Sequence, residues 1–138
     1  MIILRFLLLP FALLYGCIMA IRNFCYQKGI LKSYSFEIPI IAVGNLSVGG
    51  TGKTPQIEAL LRLLEPKYRV ATLSRGYGRS SKGYIVANDC AADQINGALL
   101  GDEPLQLHLK FPKCTVAVDA NRKNGIEQLL QRNPQPEI

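Results

Sequence analysis

The sequence predicts a three-layer α/β fold, with helices on both faces of a mostly parallel sheet, carried behind a separate apolar helix. Three observations predict it. Short strand-like runs stand at Ile38–Val43 (IPIIAV), Tyr68–Ser74 (YRVATLS), Tyr84–Ala87 (YIVA) and Thr115–Val118 (TVAV), the pattern of strands buried inside a sheet. Segments with helical apolar spacing alternate with them, which implies right-handed crossovers. Residues 1–22 (MIILRFLLLPFALLYGCIMAIR) are almost wholly apolar and precede all of this.

The first element is a membrane-associated helix over residues 1–22. No charge occurs from Phe6 to Ile21, a stretch of about 24 Å of helix against a hydrocarbon core of ~30 Å. Counting from Ile2, with Arg5 snorkelling, the length becomes marginally sufficient. Pro10 is expected to kink this helix or to mark its start. Three readings stay open: a spanning anchor, a helix lying in the interface, and an export signal in which Gly16-Cys17 loosely imitates a lipoprotein cleavage site. Against export, Tyr15 is bulky for such a site. Arg22, Lys28 and Lys32 follow with no acid before Glu37, which by the positive-inside rule places the rest of the chain in the cytoplasm beside anionic headgroups. Residues 23–37 read as a basic connector and residues 38–138 as one domain.

Within that domain, Ile38–Val43 is expected as a strand with Pro39 near its start, because proline cannot donate to a central ladder. Ile57, Leu60, Leu61 and Leu64 then recur at i, i+3, i+4 and i+7, so a helix lays one face on the sheet. Pro55 suits its first turn, Glu58 can pair with Arg62, and Pro66 stops it. Tyr68–Ser74 is the second strand, followed by the loop RGYGRSSKG, and Tyr84–Ala87 the third. Residues 88–100 are weakly patterned. Leu105–Lys110 is expected as a helix with Pro104 in its first turn, Thr115–Val118 as another buried strand, and Ile126–Arg132 as the last helix before Pro134 and Pro136 break the chain.

Composition narrows the chemistry. At 138 residues and 49% apolar content the chain is long enough for a real core and too apolar for disorder. Sixteen Lys and Arg against ten Asp and Glu give +6, which points to phosphate or acidic lipid as partner. No basic run or aromatic-rich basic stripe marks a nucleic-acid surface, so no nucleic acid is expected. Cys17, Cys25, Cys90 and Cys114 form no CxxC pair, and His108 has no ligand-spaced partner; zinc is not expected, and these residues receive no role.

The site is expected where the first strand ends. "VGNLSVGGTGKTP", residues Val43 to Pro55, gives strand, glycine-rich turn, Lys-Thr, then helix, the layout of a phosphate-binding loop. Gly49, Gly50 and Gly52 can turn with positive φ, so that successive N–H groups, Thr51 among them, converge on phosphate oxygens. The helix N-terminus adds its partial positive charge. Lys53 is placed to reach the β- and γ-phosphates of ATP, and Thr54 to offer its hydroxyl to Mg²⁺. Ser47 stands where GxxxxGK[ST] asks for its first glycine, and the interior glycines compensate.

Three more stretches are candidates, each with a plain alternative. Arg75, Tyr77 and Arg79 in "SRGYGR" end a strand and could grip phosphate, or form a solvated basic turn. Asp102 in "GDEP" reads as a helix N-cap, with Glu103 favouring the helix dipole, or as a carboxylate taking a proton from an attacking hydroxyl. Arg122 in "VDANRKNG" is a helix-entry charge or a phosphate ligand.

These stretches in this order, "IPIIAVGNLSVGGTGKTP", "VATLSRGYGR", "GDEP" and "VDANRKNG", behind an apolar N-terminal helix, resemble the tetraacyldisaccharide 4'-kinases of lipid A biosynthesis. The resemblance covers Met1 to Ile138. It implies a P-loop NTPase-like three-layer sandwich, incomplete here, at the cytoplasmic face of the inner membrane of a Gram-negative bacterium. It implies transfer of the γ-phosphate of ATP to the 4'-hydroxyl of a tetraacylated glucosamine disaccharide 1-phosphate, a lipid A precursor. It assigns Lys53 and Thr54 to the Walker A lysine and Mg²⁺ ligand, Asp102 to the catalytic base, and Arg75, Tyr77, Glu103 and Arg122 to the active site. The family continues with an apolar strand ending in Asp-Asp and Phe-Gln-His, which supplies Mg²⁺ coordination, and with a second domain and a histidine partner. This chain stops at Pro136-Glu137-Ile138, so the resemblance implies an N-terminal portion that turns over little substrate alone. A membrane-associated P-loop ATPase or GTPase acting as a targeting or assembly factor would share the loop but need no sugar site. A non-enzymatic membrane-anchored binding module is a third reading.

Overall fold

A computed structural model describes residues 2–44 and 52–138. The chain divides into two compact units, Met1–Phe36 and Glu37–Ile138. The first is built on α1, Ile2–Gln27. It runs through Pro10, which neither starts nor ends it, and five residues past Arg22 into the expected connector. From Leu8 on, the helix keeps large apolar side chains such as Phe11, Leu14, Ile18 and Ile21 exposed. Among the described residues, Leu8–Gln27 is the one helical stretch long and apolar enough to cross a membrane.

In the second unit, α2 (Lys53–Leu64) starts after Gly52, whose φ of 77° is a left-handed turn. It stops at Leu64, with Glu65 as its C-cap, because Pro66 cannot continue a helix. β1 (Ala71–Ser74) is shorter than expected, as is β2 (Ile85–Val86). A single 3₁₀ turn at Ala87–Asp89 and the short helix α3 (Gly97–Leu100) occupy the weakly patterned stretch. α4 spans Asp102–Lys110, β3 Thr115–Val118 as expected, and α5 Arg122–Leu130, starting one turn earlier than the apolar spacing shows. Asn121 accounts for that early start: its side chain accepts from the Asn124 N–H and caps the helix.

The three described strands lie in the order β1-β3-β2. β1 and β3 are parallel, with Ala71 opposite Thr115 and Ser74 opposite Val118. β2 is antiparallel to β3, so the expectation of a mostly parallel sheet is corrected to a small mixed one. The cause is the connection: no helix lies between β1 and β2 to carry the chain back to its starting end, so β2 returns in the opposite direction.

The expected strand at Ile38–Val43 is also corrected. This segment carries no strand pairing, and Ile40 and Ile41 are each 52% exposed. A strand exists only where a neighbour takes its N–H and C=O groups. Ile38–Val43 instead lines an apolar groove of about 450 Å³ together with Val70–Ser74.

Helices cover both faces of the sheet. Val116 and Val118 pack with Leu61 of α2, Leu100 of α3 and Leu107 of α4, while Ala117, pointing the other way, packs with Leu129 of α5. That split is the period of two in TVAV made physical.

Candidate functional site at the carboxyl end of the sheet

Because β1 and β3 are parallel, their carboxyl ends lie side by side, and the Asp119 N–H donates to the Ser74 carbonyl at 2.9 Å. In open α/β sheets this is the edge where ligands bind. Three helices begin with residues singled out above: α2 with Lys53 and Thr54, α4 with Asp102 and Glu103, α5 with Arg122.

The contact that joins two of them is a hydrogen bond from Thr54 Oγ1 to Glu103 Oε1, 2.7 Å, across 49 residues of sequence. Lys53 sits beside it, half-buried, at the first position of α2. No acidic residue of α2 itself occupies its first turn; the carboxylate that meets this positive helix end is Glu103 of α4. Ser47, Gly49, Gly50 and Thr51 lie outside the described residues; Gly52, the last glycine of the loop, has the left-handed φ that a phosphate cradle asks for.

The metal question turns on oxygen donors. Among the described residues no group of three or more His, Cys, Asp and Glu could hold an ion. The adjacent Thr54 hydroxyl and Glu103 carboxylate are two hard oxygens. That is the kind of partial donor set Mg²⁺ takes, its remaining positions going to water and substrate phosphate. The residues fit the ion.

Asp102 is the first residue of α4, and Gly101 rather than Asp102 is the N-cap. The cap reading of Asp102 is therefore corrected. Its carboxylate is exposed, makes no capping bond, and lies over Gly97, where an added Cβ would stand 2.7 Å from Asp102 Oδ1. Gly101 holds φ 91°, ψ 156°, a conformation open essentially to glycine alone. A Cβ there would meet the Tyr77 carbonyl at 2.7 Å. This backbone-to-backbone approach binds the "RGYGR" loop to the start of α4, placing Tyr77, 95% exposed, near Asp102.

Other expected residues are differently employed. Arg79 folds back, donating from Nη2 to the Gly83 carbonyl at 3.0 Å, while Nη1 is buried without a partner. Arg122 donates from Nη1 to the Leu73 carbonyl at 2.6 Å. Arg75 is exposed. Glu103 and Arg122 line the groove beside β1 together with Ser74, whereas Arg75, Tyr77 and Asp102 lie outside it.

Asp119 is the residue the sequence reading passed over. It is 3% exposed, the sole charged side chain buried among the described residues. Its Oδ1 accepts from the Asn121 N–H at 2.9 Å and its Oδ2 from Asn124 Nδ2 at 2.7 Å, which fixes the turn delivering Arg122. The signal was available: an acid directly after a buried strand, in "TVAVD".

With this geometry in place, comparison with known proteins gives a consistent answer. A family model described as LpxK, tetraacyldisaccharide-1-P 4'-kinase, matches residues 4–138. The tetraacyldisaccharide 4'-kinase of Flavobacterium johnsoniae is 62% identical over 136 residues, covering 99% of this chain and 39% of the relative. That of Bacteroides thetaiotaomicron is 50% identical over 132 residues, covering 95% and 34%. A crystal structure of LpxK from Aquifex aeolicus in complex with ATP matches with a TM-score of 0.75 at 40% identity, over 97% of this chain and 42% of that one. The chain thus spans between 34% and 42% of the length of these proteins.

Proposed function

This chain belongs to the tetraacyldisaccharide-1-P 4'-kinase family, and on that premise we propose that it forms the nucleotide-binding part of a kinase that phosphorylates the 4'-hydroxyl of a tetraacyldisaccharide 1-phosphate. The observation that carries the reading is the Thr54–Glu103 bond, which brings the end of the glycine loop and the "GDEP" helix to one point.

The residues divide the work as follows. The loop from Ser47 to Gly52 cradles the triphosphate through backbone N–H groups, and Lys53 places its ammonium on the β- and γ-phosphates. Thr54 and Glu103 would hold Mg²⁺, and the ion would supply charge neutralisation at the phosphate oxygens. Asp102 takes the proton of the 4'-hydroxyl as its oxygen bonds to the γ-phosphorus and the bond to the β,γ-bridging oxygen breaks, releasing ADP. Arg75, Tyr77 and Arg122 face the acceptor and its anionic groups from the same end of the sheet; Arg79 supports that loop through Gly83. α1 keeps the enzyme at a bilayer that presents the acylated acceptor. Arg22, Lys28 and Lys32 lie toward the cytoplasmic headgroups of a bacterial inner membrane.

Calorimetric titration of the 138-residue chain with MgATP tests the nucleotide assignment. Lys53→Ala is expected to abolish measurable binding, and unchanged affinity refutes the assignment. ATP consumption that depends on added tetraacyldisaccharide, measured in the kinase of full family length, separates a kinase from an assembly ATPase.

A further inference from the structure

α2 and α4 are tied together at more than their first turns. Glu58, one turn beyond Thr54 and largely buried, accepts from Gln106 Nε2 at 3.1 Å and from Lys110 Nζ at 2.5 Å, and stands 3.6 Å from Arg62 Nη2. Past the end of α2, Glu65 Oε1 accepts from the Lys113 N–H at 3.0 Å. With Thr54–Glu103, these contacts form rungs that ascend both segments in step. Their sequence separations of 49, 48, 52 and 48 residues show that the two helices run the same way in one fixed register. Leu61 and Leu107 fill the space between as part of the same core.

Apolar packing is non-directional and tolerates sliding, whereas charged and polar rungs pair in one alignment. A slip of one turn moves a helix by about 5.4 Å, enough to separate Thr54 from Glu103 completely. We propose that Glu58, acting through Lys110 and Gln106, is a positioning residue: it sets the register of α2 against α4 and so holds the Thr54 hydroxyl and the Glu103 carboxylate together as one Mg²⁺ site. Glu58 touches neither nucleotide nor metal, and the functional part of this inference rests on the nucleotide reading above.

Two measurements on the 138-residue chain test it. ATP affinity with Mg²⁺ and with EDTA gives the Mg²⁺-dependent gain. Lys110→Met and Glu58→Gln are expected to cut that gain about fivefold, as a coupling between the two contacts requires. Affinity in EDTA should stay as in the parent chain, and Lys110→Arg should restore the gain. A double-mutant cycle of Thr54→Val with Lys110→Met, read by urea unfolding without nucleotide, should be non-additive, since the two residues sit on different helices and couple only through the rungs. Additive unfolding midpoints, or an unchanged Mg²⁺ gain in both variants, overturn the proposal. Should Lys53→Ala leave ATP binding intact, the nucleotide reading fails, and the unfolding cycle then decides the register claim by itself.

Discussion

Asp89 and Arg132 form a two-pronged ion pair at 2.6 and 2.7 Å, joining the turn after β2 to the end of α5. The Arg132 guanidinium holds the Asp89 carboxyl below its usual 3.8 by hydrogen bonding, against a smaller opposing effect of burial. A carboxyl lowered in the folded state adds stability that is complete above its unfolded pKa and lost as pH falls through the folded one. Asp89 is half-exposed, so solvent screening limits the pair to about 1 kcal/mol or less. Chemical unfolding of Asp89→Asn should therefore show a constant deficit from pH 5 to pH 8 that closes below about pH 4. A deficit that does not shrink at all as pH falls below 4 would mean the pair acts through packing instead. None of this was legible in the sequence, because Asp89 and Arg132 are 43 positions apart and no local spacing pairs them. The placement of Lys53 and Thr54 at the start of α2 was legible, because a helical apolar spacing directly follows the glycine loop. Whether Asp102 caps α4 was not: Gly101 takes the cap position through a close approach to Tyr77, a tertiary contact that adjacent residues do not announce.

Among the elements, α1 and β3 were read nearly in full, since both are set by composition over their own length. The chain's misread elements are those that depend on a neighbour. Ile38–Val43 has strand-like residues but no ladder, and β2 has strand-like residues but a direction set by its connecting loop. α1 carries a prediction of its own. Near its end Arg22 stacks over the Tyr26 ring at 5.1 Å and Lys28 over Phe24 at 5.6 Å, the pairing of aromatic and cationic groups favoured at the level of headgroups. In flotation with vesicles containing phosphatidylglycerol, the chain should rise with the lipid, and removal of residues 2–27 should leave it at the bottom. Equal flotation of both would assign membrane affinity to the second unit.

Across the whole molecule, burial explains what the local patterns do not. The sheet has few strands, yet each face is covered, and Cys114 at the centre is so fully enclosed that burial pushes its thiol up to about 11. The side of β1 away from β3 is different. Val70 and Ser74 direct their carbonyls to β3, so the backbone N–H and C=O groups of Ala71 and Leu73, with the Arg69 carbonyl, face outward. Three of these groups are engaged. Arg69 accepts from the Glu137 and Ile138 N–H groups, Ala71 donates to the Ile138 carbonyl at 2.9 Å, and Arg122 meets Leu73. Removal of residues 135–138 should raise light scattering on incubation at 37 °C, with a cross-β signal in thioflavin fluorescence. A clear, dye-negative solution would show that the rim is protected by other means.

An open rim of a sheet is adhesive, since any extended chain can dock on it, including a stray copy of the same protein. Residues 137–138 and one guanidinium occupy part of that border, which leaves fewer of its groups open to a stray strand. Arg122, which the sequence offers as a phosphate ligand, covers one outward carbonyl of this edge, so its substitution is expected to lower solubility as well.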